Sequence, residues 1–297
     1  MKIALLDVDG HNFPNLALMK LSAYYRRNGD SVEWFEPLFS HPDRLYASKV
    51  FTFTPDFRYF PSDCDIVRGG TGYDVQSKLP QDIEDMLPDY SIYPQYEYAI
   101  GFLTRGCVNK CPWCVVPRKE GGIRVVDSIT RIAACNRRKI KLLDNNFLAA
   151  DEEFVVEQLE YMIRGKWRID FNQALDCRRV NERNAALLAK VRWDRYIRFA
   201  CDTDTQFEPL RNAVQLLRSK DYHGDIMCYV LSKDIENALQ RINKIAKLDV
   251  TPFCMPWRDL DNPEYKIPAE LKKLARWCNI QSIRKSTSFN QYRTGKK

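Results

Sequence analysis

Short apolar runs and longer stretches of helical spacing alternate along this chain, and their order predicts its architecture. Lys2–Val8 is an apolar run of strand character. Leu16–Arg27 carries apolar residues at helical spacing (Leu16, Met19, Leu21, Tyr24), and Asn28-Gly29 is a natural helix stop. Ser31–Phe35 predicts a second strand, and Lys49–Phe53 and Asp65–Val67 two more. Gly69-Gly70 follows directly, and glycines there let another backbone or a ligand come close. A β-α-β start of this kind predicts a small, Rossmann-like parallel sheet. Tyr73–Tyr96, with Pro80, Pro88 and Pro94, is a connector with a short acidic helix near Gln81–Leu87.

From Tyr98 the alternation becomes regular. Strands are expected at Tyr98–Leu103, Lys139–Leu143, Arg168–Leu175, Arg195–Ala200, Asp225–Leu231 and Asp249–Phe253. Helices are expected at Asp127–Asn136, Asp151–Arg164, Asn181–Val191, Gln206–Ser219, Asp234–Lys247 and Pro268–Cys278. Asp127, Asp151, Asn181 and Asp234 supply N-cap chemistry. This is too few units for a closed eight-stranded barrel, so the fold class is α/β, with an open, partial (β/α)6 barrel after the Rossmann-like unit. The expected division is 1–96, 97–280 and a basic C-terminal tail, 281–297. The tail, with Lys285, Arg293, Lys296 and Lys297, reads as solvated and frayed.

Each strand of the second series is followed by polar residues or cysteine: Thr104, Arg105 and Cys107; Asp144, Asn145 and Asn146; Asp176 and Arg178; Asp202; Ser232 and Lys233; then Cys254, Pro256 and Arg258. In β/α barrels the site lies at that end of the strands. Polar strand ends are common, so no single one of these positions decides anything. The cysteine loop does.

Composition narrows the class. The chain is 45% hydrophobic and 29% charged, as in an ordinary globular protein. No apolar run is long enough for a membrane span, and the first residues lack a signal-peptide pattern, so the expected location is cytoplasmic. A net charge of +7 is a weak footprint for nucleic acid. Of ten cysteines, seven (Cys64, Cys135, Cys177, Cys201, Cys228, Cys254, Cys278) are scattered among apolar segments and read as small buried hydrophobes.

The other three fall in Thr104-Arg105-Gly106-Cys107-Val108-Asn109-Lys110-Cys111-Pro112-Trp113-Cys114. Soft thiolates select iron–sulfur or zinc. Structural zinc asks for four ligands, and His11, His41 and His223 are all remote in sequence. Three local ligands would leave one coordination position open.

This C-x3-C-x2-C loop, with Trp113 before its last cysteine, resembles the signature of the radical S-adenosylmethionine (SAM) superfamily. The resemblance runs from about Tyr98 to Arg258. It implies a [4Fe–4S] cluster on Cys107, Cys111 and Cys114, with SAM chelating the fourth iron. One electron then cleaves SAM to a 5′-deoxyadenosyl radical that abstracts hydrogen from a substrate. It also implies that Trp113 lies beside the adenine. The family's Gly-Gly-Glu-like segment is replaced here by Leu143-Asp144-Asn145-Asn146-Phe147, whose Asp144, Asn145 and Asn146 offer acceptors for the SAM ammonium. That variant, and the segment Asn172–Arg178, resemble the branch with B12-binding domains and methylthiotransferase-like enzymes. Gln173, Asp176 and Arg178 are its candidates for the ribose or the methionyl carboxylate.

In that branch a cobalamin-binding domain often comes first. The D-x-H-x-x-G motif is absent, and His11 in Asp7-Val8-Asp9-Gly10-His11 is misplaced for a cobalt ligand, so a degenerate domain is expected. tRNA methylthiolation is disfavoured: only Cys64 precedes Cys107, and few residues follow Cys278. The leading expectation is a radical SAM enzyme with an unidentified substrate and a flavodoxin- or ferredoxin-like electron donor. The alternatives are a cobalamin-dependent radical SAM methyltransferase, or a non-catalytic metal-binding or nucleic-acid-binding module using zinc.

Overall fold

The computed structural model describes residues 1–10 and 13–294. His11, set aside as a cobalt ligand, therefore lies outside the described residues. Strand β1 (Lys2–Asp7) is a central strand of a parallel sheet ordered β2–β1–β3–β4, with β2 (Ser31–Trp34), β3 (Arg44–Ser48) and β4 (Asp65–Gly69). Helix α1 (Leu16–Arg27) makes the crossover from β1 to β2, and the Asn15 side chain caps it by accepting the Leu18 N–H at 3.3 Å. Leu18, Leu21 and Tyr25 of α1 pack on Ile3 and Leu5. The other face of the sheet buries Ala4, Phe35 and Leu45.

Lys49–Phe53 is not a strand. The Asp9 carboxylate accepts the backbone N–H of Val50 and of Phe51, the latter at 3.3 Å, and the Thr54 hydroxyl at 2.6 Å. Amides taken up in this way cannot join a ladder. Arg44–Ser48 fills the place instead, pairing with both β1 and β4. What approaches the Gly69-Gly70 pair is the chain's own backbone. Gly70 has φ +94°, and a Cβ there would stand 2.4 Å from the Lys49 carbonyl oxygen.

The connector forms α2 (Gln81–Glu84). Beyond it, β5 (Tyr98–Gly101) leads to a short hairpin of β6 (Thr104–Arg105) and β7 (Arg124–Val125), with α3 (Val116–Lys119) between them. Then α4 (Ile129–Ala133), β8 (Lys139–Leu142), α5 (Glu152–Gly165), β9 (Arg168–Phe171), α6 (Glu182–Leu188), β10 (Ile197–Ala200), α7 (Phe207–Ser219), β11 (Ile226–Ser232), α8 (Ile235–Ala246), β12 (Thr251–Pro256) and α9 (Ala269–Asn279) follow in order. The strands form two parallel three-stranded sheets, β5–β8–β9 and β10–β11–β12. The expected continuous series is thus interrupted. Between β9 and β10 there are only isolated parallel bridges, Ile169 with Trp193 and Leu175 with Phe199.

Residues at alternate strand positions face the helices. Ile140, Leu142, Ile169, Phe171, Ile197, Phe199, Cys228 and Val230 join Leu159, Leu188, Leu210, Ile242 and Leu274 in one core. Each such side chain contributes roughly 1.5–3 kcal/mol on burial. Asp151, Asn181 and Asp234 cap α5, α6 and α8 as expected. Asp127 does not cap α4. Ser128 does, accepting the Arg131 N–H at 3.3 Å, while Asp127 pairs with the Arg131 guanidinium at 2.9 Å.

The C-terminal stretch is not frayed over its described part. Helix α10 (Gln281–Ser286) follows α9, and Phe289 and Tyr292 are buried in the main core. Trp277 donates its indole N–H to the Thr287 carbonyl at 2.7 Å and packs edge-on against Phe289. Aromatic burial outweighs the charge of this segment. No helix among the described residues is long and apolar enough to cross a membrane.

Candidate functional site

The cysteine loop begins where β6 ends, beyond the C-terminal end of β5. Its two ends are tied to each other. Thr104 pairs with Val125 and Arg105 with Arg124, and the Cys107 N–H donates to the Gly121 carbonyl at 3.1 Å. Gly106 turns the chain at φ +86°. A Cβ at that position would lie 2.1 Å from the Gly122 carbonyl oxygen and 2.6 Å from its carbon, so no other residue fits. Cys107, Cys111 and Cys114 are half-buried free thiols. Burial, and then the proximity of Cys114, push the Cys111 thiol up; burial and Cys107 do the same for Cys114. Of the remaining seven, Cys64 and Cys135 are half-buried and the other five are buried, as expected of small hydrophobes.

The Leu143–Phe147 segment at the end of β8 grips this loop from behind. Asp144 is 1% exposed. Its two oxygens accept the Leu103 N–H at 3.1 Å, the Thr104 N–H at 2.6 Å and the Thr104 hydroxyl at 2.7 Å. Burial raises its pKa to about 6 against the pull of those bonds. Asn145 accepts the Gly106 N–H at 3.0 Å. Asn146 directs its amide N–H₂ at the Cys107 sulfur (3.4 Å) and at Asp176 (3.1 Å). The Asn146 Oδ1 atom is buried and has no hydrogen-bond partner among the described residues.

The end of β9 supplies the other wall. Asp176 accepts from Arg178 at 2.7 and 2.8 Å and from the Asn109 amide at 2.9 Å. Burial pushes its carboxyl up, but these bonds outweigh it and hold the pKa below the usual aspartate value. Burial holds the carboxyl of Asp202, at the end of β10, above it, although it accepts the Leu231 N–H at 2.9 Å. A cleft of about 480 Å³ lies alongside, with Asn109, Cys111 and Trp113 on one side and Arg178, Thr203 and Gln206 on the other. Gln173, by contrast, is exposed and makes no side-chain hydrogen bond among the described residues.

The fold therefore gathers Cys107, Cys111, Cys114, Trp113, Asn145, Asn146, Asp176 and Arg178 about one loop, with Asp144 beneath it and Gln173 outside. Asn109, Thr203 and Gln206 were not anticipated. The signal for the last two was a capping box, Thr203-Asp204-Thr205-Gln206, just past β10.

The donor set suits an iron–sulfur cluster in chemistry: three soft thiols, one of them receiving N–H bonds from the Asn109 backbone and the Asn146 amide at 3.4 Å each. Among the described residues, no three His, Cys, Asp or Glu side chains stand close enough to share one metal ion. A cubane makes a different demand, since each thiolate takes its own iron.

Comparison with known proteins finds partial likenesses. No family model matches the chain. One stretch of 87 residues is 32% identical to tRNA-2-methylthio-N(6)-dimethylallyladenosine synthase of Aquifex aeolicus. That stretch is 27% of this chain and 20% of the relative, so the chain spans a small part of that protein's length. A solved structure, Streptococcus suis SuiB bound to S-adenosylmethionine, covers 64% of this chain and 48% of its own, at 13% identity and a TM-score of 0.45.

Proposed function

We propose that the chain holds a [4Fe–4S] cluster through Cys107, Cys111 and Cys114, binds SAM beside it, and acts as a radical SAM enzyme. The observation that carries this is the closed hairpin that presents three thiols at the strand ends, with Asn146 donating to the Cys107 sulfur. When bound, such a cluster supplies the electron for reductive cleavage of SAM. The chain's own residues bind and orient. Trp113, at the cleft wall, offers a flat face for the adenine. The free Oδ1 of Asn146 is the best-placed acceptor for the SAM ammonium. Asn145 and Asp144 act at one remove, since their oxygens already hold the loop backbone. Arg178, fixed by Asp176, is the cation for the methionyl carboxylate, and Gln173 stands at the rim toward the ribose.

In this reading residues 1–96 form the Rossmann-like unit, 97–280 the radical SAM unit, and 281–297 the C-terminal extension. The electron comes from a flavodoxin- or ferredoxin-like donor. The substrate is unidentified, and the likeness to a tRNA-acting enzyme makes RNA the first to assay.

Anaerobic reconstitution with iron and sulfide tests the reading. A brown protein with about four irons per chain, forming 5′-deoxyadenosine from SAM and dithionite, is expected. Cys107→Ala, Cys111→Ala and Cys114→Ala should each abolish that product. A colourless chain with one zinc, or normal product from any of the three variants, would overturn it; corrinoid uptake would favour the methyltransferase alternative.

A further inference from the structure

We propose that Arg105 is a positioning residue for the cysteine loop, and that Glu84 ties it to the N-terminal sheet, so that this sheet sets the loop's shape. This rests on the function proposed above. Arg105 sits in β6, two residues before Cys107, with its side chain 17% exposed and its guanidinium stacked 4.0 Å over the Phe102 ring. One nitrogen donates to Glu84 at 2.7 Å and another to Glu120 at 2.9 Å. Glu84, in α2, also receives Lys20 of α1 at 2.9 Å. Glu120, just past α3 and 8% exposed, also receives Arg124 of β7 at 3.1 Å. An unbroken line of five charged side chains thus runs from α1, through α2 and the entry of the cysteine loop, to its exit.

The chemistry requires arginine at the centre. A planar guanidinium can hold two carboxylates at fixed angles, while a lysine ammonium is a point charge on a flexible stem. Glu120, little exposed, has both of its carboxylate oxygens taken up by arginines, one from each strand of the hairpin. The connector adds lesser braces on the same side: Lys119 donates to the Ser77 carbonyl at 3.3 Å, and Gln76 to the Arg118 carbonyl at 3.3 Å. A shift of α1 or α2 therefore moves the residue that leads into Cys107. The N-terminal sheet needs no cofactor of its own to serve the site in this way.

The test uses the full chain, before and after anaerobic reconstitution, with Arg105→Ala, Arg105→Lys and Glu84→Gln. In the chain before reconstitution, Arg105→Ala and Glu84→Gln should speed amide hydrogen exchange across Thr104–Val125 on the order of tenfold, while β10, β11 and β12 keep their rates. Arg105→Lys should fall between wild type and Arg105→Ala. After reconstitution, Glu84→Gln should keep its iron, yet the electron paramagnetic resonance signal of the reduced cluster should lose the change that SAM produces in wild type. Unchanged exchange in Thr104–Val125, protection lost equally throughout the chain, or an unaltered response to SAM in Glu84→Gln overturns the proposal. A wild-type chain that takes up no iron overturns the cluster reading instead, and the exchange data still decide whether Arg105 and Glu84 shape the loop.

Discussion

At the scale of single residues, the site depends on two positions that bear no cofactor chemistry. Gly106→Ala puts a Cβ into the Gly122 backbone at a positive φ. Left-handed backbone alone costs roughly 1–2 kcal/mol outside glycine, before the clash is counted. We expect the variant to fold with a displaced loop, and iron uptake per chain, measured by colorimetry, to fall by more than half. Asp144 has a pKa raised to about 6, so the folded chain holds its proton more tightly than the unfolded one. Its stabilising contribution is full below the unfolded aspartate value near 4 and is lost as pH rises through about 6. Melting curves from pH 4 to 7 should show wild type losing stability relative to Asp144→Asn over that window; parallel curves would refute the assignment. The cysteine loop was legible in the sequence because three of the ten cysteines fall within eight residues of one another. The role of Asp144 was not, since a carboxylate at a strand end reads the same whether it faces a ligand or, as here, two backbone amides.

At the scale of elements, the starts of helices with a side-chain cap were legible almost to the residue, because the cap is local, while the ends of α4 and α6 fall short of their expected positions. Asp151 accepts the Glu153 and Phe154 amides at 3.0 and 3.3 Å. Asp151→Ala should cost about 1 kcal/mol and lower the midpoint of thermal unfolding by roughly 2–4 °C. No change in the midpoint would mean that α5 is held by packing alone. Strands were less legible. Lys49–Phe53 alternates like a strand, yet a remote carboxylate, Asp9, claims its amides. The short pair β6 and β7 left no periodic trace, because two residues per strand are too few for a period to show.

At the scale of the whole molecule, the chain builds a four-stranded parallel sheet and then two three-stranded ones, and the order of alternating elements foretold parallel strands in each. The apolar pattern could not foretell the break between β9 and β10, where isolated bridges replace a ladder. Nor could it foretell the C-terminal docking, because Phe289 and Tyr292 stand alone among polar neighbours and gain meaning only from Trp277. Removing residues 281–297 takes both aromatic side chains out of the core, and each such loss costs about 3–5 kcal/mol by analogy with large-to-alanine changes. Urea unfolding should therefore show a midpoint well below that of the full chain; equal midpoints would return this segment to the status of a loose end.

The hairpin that joins Thr104 to Val125 and Arg105 to Arg124 also bears on the timing of assembly. So short a span closes at small entropic cost and on a microsecond scale. In a chain emerging from the ribosome this hairpin can close early, but the side chains that grip it, Asp144, Asn145 and Asn146, arrive only with β8. The loop therefore takes its final shape only once β8 has been added, well before the last strands of the sequence are needed.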